Sequence, residues 1–312
     1  MQLSSERMML NSTQIEHFQR EGYLVVPGTL LETDLQPVVE EYDGVVDRLA
    51  ADLMREGRIS DACTEEGFST RLASLCRQDQ VLYRDADQLV DIASVLGPET
   101  FGLLRNARVL DLVEGIVGSE ITCSPIQHVR CKLPADLWDG ASSYTAPWHQ
   151  DAQVHTEEAD PQFILTVWIP LVDTDEANGC LKVIPRVHRE SRVLWSEGFG
   201  ISQGNLPGDE AVSVPMHRRD VMLLHKLTPH CSEPNQTSRI RWSMNLRYQK
   251  SGTPSGRSCY PDFVARSRTH PESELLDWSE WRSKWMAALE TYPTKQPRQS
   301  RPEAPVTQNL RD

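Results

Sequence analysis

The sequence has no CxxC pair, no excess of basic residues, no long apolar run and no internal repeat, and each absence removes a class of protein. Its seven cysteines, at positions 63, 76, 123, 131, 180, 231 and 259, are scattered and odd in number, which fits reduced thiols rather than a disulfide scaffold. Asp and Glu number 45 against 32 Lys and Arg, a formal charge of −13. Binders of the nucleic-acid backbone carry the opposite balance, so no nucleic-acid partner is expected. Nothing approaches the roughly 18 consecutive apolar residues of a membrane span, so no membrane partner is expected either. The opening MQLSSERMMLNSTQ lacks a basic segment followed by an apolar run. A signal peptide is therefore not expected, and a cytoplasmic location is. What remains is a globular chain of ordinary composition, 39% hydrophobic and 25% charged, and its net charge does not exclude an anionic small-molecule substrate, because local pocket charge can oppose the global charge.

The pattern along the chain changes near residue 120. Before it, helical signals dominate. Thr13 with Glu16 reads as a capping box ahead of a helix that stops at Gly22, and YLVVPG follows as a strand and turn. Thr33 with Gln36 reads as the cap of a second helix with Leu35, Val38, Val39 and Tyr42 on its apolar face, and TFGLLRNARVLDLVEGIV as one further helix ending at Gly118. After residue 120, short apolar runs (ITCSPIQHV, FILTVWIPLV, CLKVIP, AVSVPM, DVMLLH, IRWSMNLRYQ) alternate with clusters of Pro, Gly, Asn and Asp. Brief strands with turn-rich connections predict a sandwich or open barrel rather than a doubly wound sheet. A late helix carries Trp278, Trp281 and Trp285 at helical spacing, which predicts packing of one face against the body. The expected organisation is one domain over 1–290: a helical part at about 12–118, a β core at about 120–250, a C-terminal helix at about 272–290, then a disordered tail at 291–312.

The densest cluster of metal-binding side chains is WHQDAQVH, with His149, Asp151 and His155. On an extended strand residues i and i+2 share a face, so His149 and Asp151 can address a common point, whereas His155 lies about 13 Å further along. Two imidazoles and one carboxylate leave open positions on an octahedral iron(II), and a catalytic zinc accepts the same set. The third ligand has to come from a distant histidine; His188, His225 and His230 are the candidates.

PWHQD (147–151), TVWIPLVDTDEANGCLKVIP (166–185) and RDVMLLHKLTPHCSEPNQTSRIRWSMNLRY (219–248), with IEHFQREGYLVVPGTL near the start, resemble the phytanoyl-CoA dioxygenase family over roughly 12–250. The blocks occur in the family's order, which makes the resemblance specific. It implies a mainly β fold with flanking helices around a double-stranded β-helix, or jelly-roll, core. It also implies a dioxygenase that uses iron(II), 2-oxoglutarate and dioxygen, most simply as a hydroxylase. Desaturation, cyclisation and epimerisation stay open, as do a cupin-like metal enzyme without 2-oxoglutarate and an inactive binding protein.

Residue by residue, the resemblance makes His149, Asp151 and His230 the metal ligands, and Arg241 the anchor of the far carboxylate of 2-oxoglutarate, with Arg239 the fallback. Trp168 resembles an aromatic residue beside the cosubstrate, although a core tryptophan would look the same. Thr166 shares its strand face and could donate to a carboxylate. Lys132 and Gln127, on the strand region before PWHQD, are cosubstrate or substrate contacts under this reading. Arg247, on the Arg241 face, could meet an acidic substrate, and Asn178, Gly179, Asn235 and Thr237 fit turn-building roles. The family's usual Pro-Gly-Ser-His turn is here Pro185, Arg186, Val187, His188. The segments 44–95 and 189–212 are candidates to line or cover the opening, the second as a lid.

Overall fold

Alternation along one long strand sets the architecture. In β9 (Arg241–Lys250), Trp242, Met244, Leu246 and Tyr248 point to one face and Arg241, Ser243, Asn245 and Arg247 to the other. In the computed structural model, which describes residues 7–137, 146–194, 199–208 and 210–292, the first set packs into a large apolar core, and Arg241, Asn245 and Arg247 of the second line a cavity.

β9 is central to a seven-stranded antiparallel sheet. It pairs on one side with β4 (Ile164–Pro170) over seven positions, and on the other with β2 (Glu120–Cys123) and β3 (His128–Lys132) in succession. Beyond β4 lie β7 (Val221–His225) and β1 (Tyr23–Val26), and beyond β2 lies β10 (Phe263–Ser267). A second sheet of three strands runs β6 (Val212–Val214), β5 (Leu181–Val183), β8 (His230–Ser232). Trp168, Met222 and Leu224 of the larger sheet pack on Leu181, Val183 and Val214 of the smaller. Three isolated bridges, Pro134 with Asn235, His149 with His230 and Thr174 with Met216, add pairings outside the named ladders. The strand order is that of a jelly roll; no closed barrel forms among the described residues.

The opposite face of the large sheet is covered by helices: α1 (Ser12–Glu21), α2 (Glu32–Arg55), α3 (Arg71–Gln78), α4 (Gln80–Leu89), α5 (Ile92–Val95), α6 (Pro98–Leu104), α7 (Ala107–Val117) and, last in the chain, α8 (Trp278–Thr291). The fold is thus mixed α/β rather than mainly β, because helices rather than a third layer of strand bury that face. Trp242, fully buried, stacks on Phe68 and meets Tyr42 of α2. Removing one such side chain from water contributes about 1.5–3 kcal/mol. Trp281 and Trp285 are buried against Phe101 and Tyr260, so the aromatic stripe of α8 packs as its spacing predicts.

Several boundaries differ from the sequence expectation, each for a local reason. The first capping box is Asn11 with Gln14, two residues ahead of Thr13 with Glu16, because Asn11 Oδ1 accepts the Gln14 N–H and Gln14 Oε1 accepts the Asn11 N–H. At α2 the Asp34 carboxylate, not Thr33 with Gln36, holds the Leu31 N–H. The single helix expected to end at Gly118 is two, since Asn106 Oδ1 accepts from Arg108 and Val109 and starts α7 anew. β8 and β10 were not expected: the first is only three residues long and the second is interrupted by a register shift. Arg186 adopts φ 69°, the left-handed turn conformation that glycine takes without a Cβ penalty. Beside it His188 Nε2 lies 3.0 Å from the Gln19 carbonyl, which ties this turn to α1. The tail expected to be disordered lies, apart from Thr291 and Tyr292, outside the described residues.

Candidate metal centre and its cavity

His149 and His230 meet because their backbones exchange two hydrogen bonds, 3.0 and 2.9 Å long, across the isolated bridge. Their ring centroids are 4.1 Å apart. His149 Nδ1 lies 2.7 Å from the Pro147 carbonyl and His230 Nδ1 3.0 Å from the Thr228 carbonyl. A carbonyl only accepts, so each Nδ1 carries the proton and each Nε2 presents a lone pair, the tautomer a metal requires. Burial, then the neighbouring His230, pushes the His149 imidazolium down to about 3, so the ring is neutral across the physiological range.

Asp151 completes the group. One ligand atom each from His149, Asp151 and His230 lie within 4.8 Å of one another. The carboxylate is not on a strand, contrary to the i, i+2 expectation: Asp151 opens a 3₁₀ turn, Asp151–Val154. The turn forms because Gln150, fully buried, accepts from the Leu194 N–H and donates to the Leu227 and Arg192 carbonyls, while Gln153 donates to the Leu194 and Gly200 carbonyls. The side chains between and after the pair thus fold the segment into the body. Burial alone would raise the Asp151 pKa; the Arg247 guanidinium, the strongest opposing influence, helps hold the group well below the usual carboxylate range. Two imidazoles held through Nδ1 and one ionised carboxylate fit a divalent metal held on one face.

His155 ends the same turn, buried, and stands outside the ligand cluster, as do His188 and His225, whose rings meet each other 4.8 Å apart.

The cluster opens into a cavity of about 280 Å³. At its far end Lys132 and Arg241 lie side by side, paired in register between β3 and β9. Lys132 Nζ donates to Ser232 Oγ at 2.8 Å, and Arg241 Nη1 donates to Ser243 Oγ at 2.6 Å. The Arg241 guanidinium stands 5.6 Å from the centre of the Trp168 ring. Among the described residues, no carboxylate is within ion-pair reach of either cation. Burial, then the Arg241 charge, pushes Lys132 down to about 7, and burial pushes Arg241 down to about 10. Arg239, the fallback, is exposed and precedes the strand.

Three other expected contacts are placed differently. Gln127 folds onto its own turn, donating to the Ser124 carbonyl at 2.6 Å, and does not line the cavity. Thr166 does donate to a carboxylate, but to that of Asp151. Arg247 does point inward, onto the cavity wall, but there its guanidinium pairs with Asp151. Asn235 bridges the Lys132 and Arg239 carbonyls, and Asn178 closes the turn at Asp173 and Asp175, both turn-building roles.

Asp87, His128, Asn245 and Phe199, all on the cavity wall, were not singled out from sequence, although Asp87 and Phe199 fall within the segments 44–95 and 189–212 expected to line or cover the opening. His128 was readable: it shares a face of β3 with Arg130 and Lys132, and its Nδ1 is fixed 3.0 Å from Asp91 Oδ2. Asn245 precedes Arg247 by two on β9 and faces the same side. Phe199, whose ring is 5.0 Å from His149, had no periodicity to reveal it. It belongs to the segment expected to be a lid; Trp148 O accepts the Ile201 N–H there, and residues 195–198 and 209 lie outside the described residues.

The family model for phytanoyl-CoA dioxygenase matches residues 18–243. The chain belongs to that family. Peroxisomal phytanoyl-CoA dioxygenase of Bos taurus is 22% identical over 292 residues, covering 88% of this chain and 78% of the relative. Among solved structures, the apo non-haem monooxygenase ThoJ superposes with a TM-score of 0.60 at 17% identity, over 89% of this chain and 98% of the other. The epimerase SnoN in complex with Fe3+, alpha-ketoglutarate and nogalamycin RO gives 0.54 at 23% identity, over 78% and 86%. Those superpositions establish the shared fold. Family membership together with the two-histidine, one-aspartate cluster supports iron(II)/2-oxoglutarate oxygenase chemistry in general. The cytoplasmic location expected from sequence does not stand, since the matched mammalian relatives are peroxisomal by name. Reduced thiols report only that a compartment is not oxidising. No helix among the described residues is long and apolar enough to cross a membrane.

Proposed function

We propose that His149, Asp151 and His230 hold iron(II), that Arg241 and Lys132 hold the far carboxylate of 2-oxoglutarate, and that the protein removes hydrogen from a C–H bond of a small molecule. One observation carries this reading: two buried cations without a carboxylate partner close one end of a cavity whose other end presents three converging ligand atoms. Iron(II) with 2-oxoglutarate supplies the oxidising chemistry there, consuming dioxygen and releasing succinate and carbon dioxide.

The chain's own residues do the rest. The Pro147 and Thr228 carbonyls hold each Nδ1 and so aim each Nε2 at the common centre. Arg241, stacked by Trp168 and braced by Ser243, offers a planar fork to a carboxylate, and Lys132 adds a point charge beside it. Phe199 and Val154 exclude water on the near side. His128 and Asn245, opposite each other in register, give a co-bound substrate polar groups to meet.

Hydrogen removal is common to hydroxylation, desaturation, cyclisation and epimerisation. We therefore infer that shared step rather than hydroxylation in particular, because an epimerase and a monooxygenase share this fold. Anaerobic addition of iron(II) and 2-oxoglutarate should produce the weak visible charge-transfer band of a metal-bound α-keto acid. A folded protein that binds iron without that band would instead be a metal enzyme that does not use 2-oxoglutarate, and one that binds neither would be a binding protein. Product mass then separates gain of oxygen from loss of two hydrogens or no change.

A further inference from the structure

Asp151 is gripped from the sheet at both oxygens. Oδ1 accepts from Arg247 Nη2 at 2.5 Å and Oδ2 accepts from Thr166 Oγ1 at 2.5 Å. The two donors are directly opposite each other in register, Thr166 on β4 and Arg247 on β9, at the centre of the seven-stranded sheet. Both are buried, at 1% and 4% exposure. The Arg247 fork is itself fixed, because Nη1 donates to the Ile126 carbonyl at 3.1 Å. Asp151, by contrast, comes from a short turn outside both sheets, and the turn's own hydrogen bonds run through Gln150 and Gln153 rather than through the carboxylate.

From this geometry we infer that Arg247 and Thr166 form a positioning cradle that fixes the rotation of the Asp151 carboxylate, so that it meets a metal through one oxygen and leaves the neighbouring coordination positions open. The inference rests on the proposed metal site. A free carboxylate beside a divalent ion can swing to chelate with both oxygens, which would occupy a position the α-keto acid or dioxygen needs. With one donor on each oxygen, rotation breaks a charge-assisted or a buried hydrogen bond. The cradle also explains why a buried arginine faces the metal end of the cavity while a different pair of cations faces the far end. Arg247 is matched to a protein carboxylate and is not a substrate-binding cation.

Manganese(II) titration, followed by loss of the free-ion paramagnetic resonance signal, tests this without turnover. Arg247→Met should weaken manganese affinity about 10- to 100-fold, the usual cost of losing a partner that orients a metal ligand. Arg247→Lys should recover part of the loss, and the isosteric Thr166→Val, which removes only the hydroxyl, should weaken binding by a smaller factor. In an Asp151→Ala background, adding Arg247→Met should cost nothing further, and the bound-ion spectrum should change in Arg247→Met but not in Lys132→Met. Thr166→Val and Arg247→Met that fold and bind manganese like the wild type would overturn the cradle. So would an Arg247→Met penalty that persists undiminished without Asp151. Wild-type protein that fails to bind manganese at all would instead overturn the metal site beneath it.

Discussion

The two ends of the cavity are built on opposite principles. At the metal end the ligand side chains are held by the protein on their outer atoms: carbonyls hold both Nδ1 atoms, and Arg247 and Thr166 hold the carboxylate. At the far end Lys132 and Arg241 are buried with only serine hydroxyls to receive their protons. Burial is tolerable for the first set because its charges are compensated, and unfavourable for the second because they are not. The first end is finished without its ligands. Under the proposed function, the second is completed by a bound anion.

Breaking the finished end should have the largest effect. His149→Ala or His230→Ala should abolish the visible band formed with iron(II) and 2-oxoglutarate, whereas His155→Ala should keep it, since that ring is outside the cluster. Equal loss in His155→Ala would show the wrong histidine has been assigned. Next comes the unfinished end. Arg241→Ala removes one partner of a charge pair that exists only in the complex, at a cost of about 2–5 kcal/mol, so 2-oxoglutarate affinity should fall at least ~30-fold while manganese affinity holds. Isothermal titration of the manganese-loaded protein reads both, and unchanged 2-oxoglutarate affinity would remove Arg241 from the site.

Much of this contrast was legible in the sequence. The period-two pattern of IRWSMNLRYQ separates a core face from a cavity face, and the structure places Trp242, Met244, Leu246 and Tyr248 on one and Arg241, Ser243, Asn245 and Arg247 on the other. Which of those cavity residues meets a ligand and which meets a protein group was not legible. That depends on Asp151 arriving from a turn whose shape is set by Gln150 and Gln153 through contacts with residues forty to eighty positions away. A strand template for His149 and Asp151 brought the two side chains together for the wrong reason, and it left Arg247 and Thr166 looking available. The helical layer shows the same limit on a smaller scale: the apolar faces were readable, but Asn106 divides one expected helix because a cap acts through two backbone N–H groups rather than through periodicity.

Lys132 gives a pH test of the unfinished end. Its folded pKa of about 7 means that the ammonium is present below that value and lost above it. Affinity for 2-oxoglutarate, an anion, should therefore weaken as pH rises through about 7, and Lys132→Met should flatten that dependence. A wild-type profile that is level between pH 6 and 8.5 would place Lys132 outside the anion's reach.

The smallest effect is on stability, and it runs against function. A lysine whose pKa is lowered on folding binds fewer protons in the folded chain than in the unfolded one. Stability is then lost as pH falls from the unfolded value near 10.4 toward about 7, and is level below that. Methionine fills similar volume without the charge, at the cost of leaving the Ser232 hydroxyl unpartnered. In the absence of ligands Lys132→Met should melt close to the wild type near pH 10 and above it at pH 7, by about 2–4 °C for each kcal/mol gained. Manganese with 2-oxoglutarate should reverse the order, because the wild type binds the anion more tightly and is stabilised in proportion. A variant that melts below the wild type at pH 7 without ligands would mean that Lys132 is already satisfied by the protein. The far end would then be as finished as the metal end, and the case for an anion there would rest on Arg241 alone.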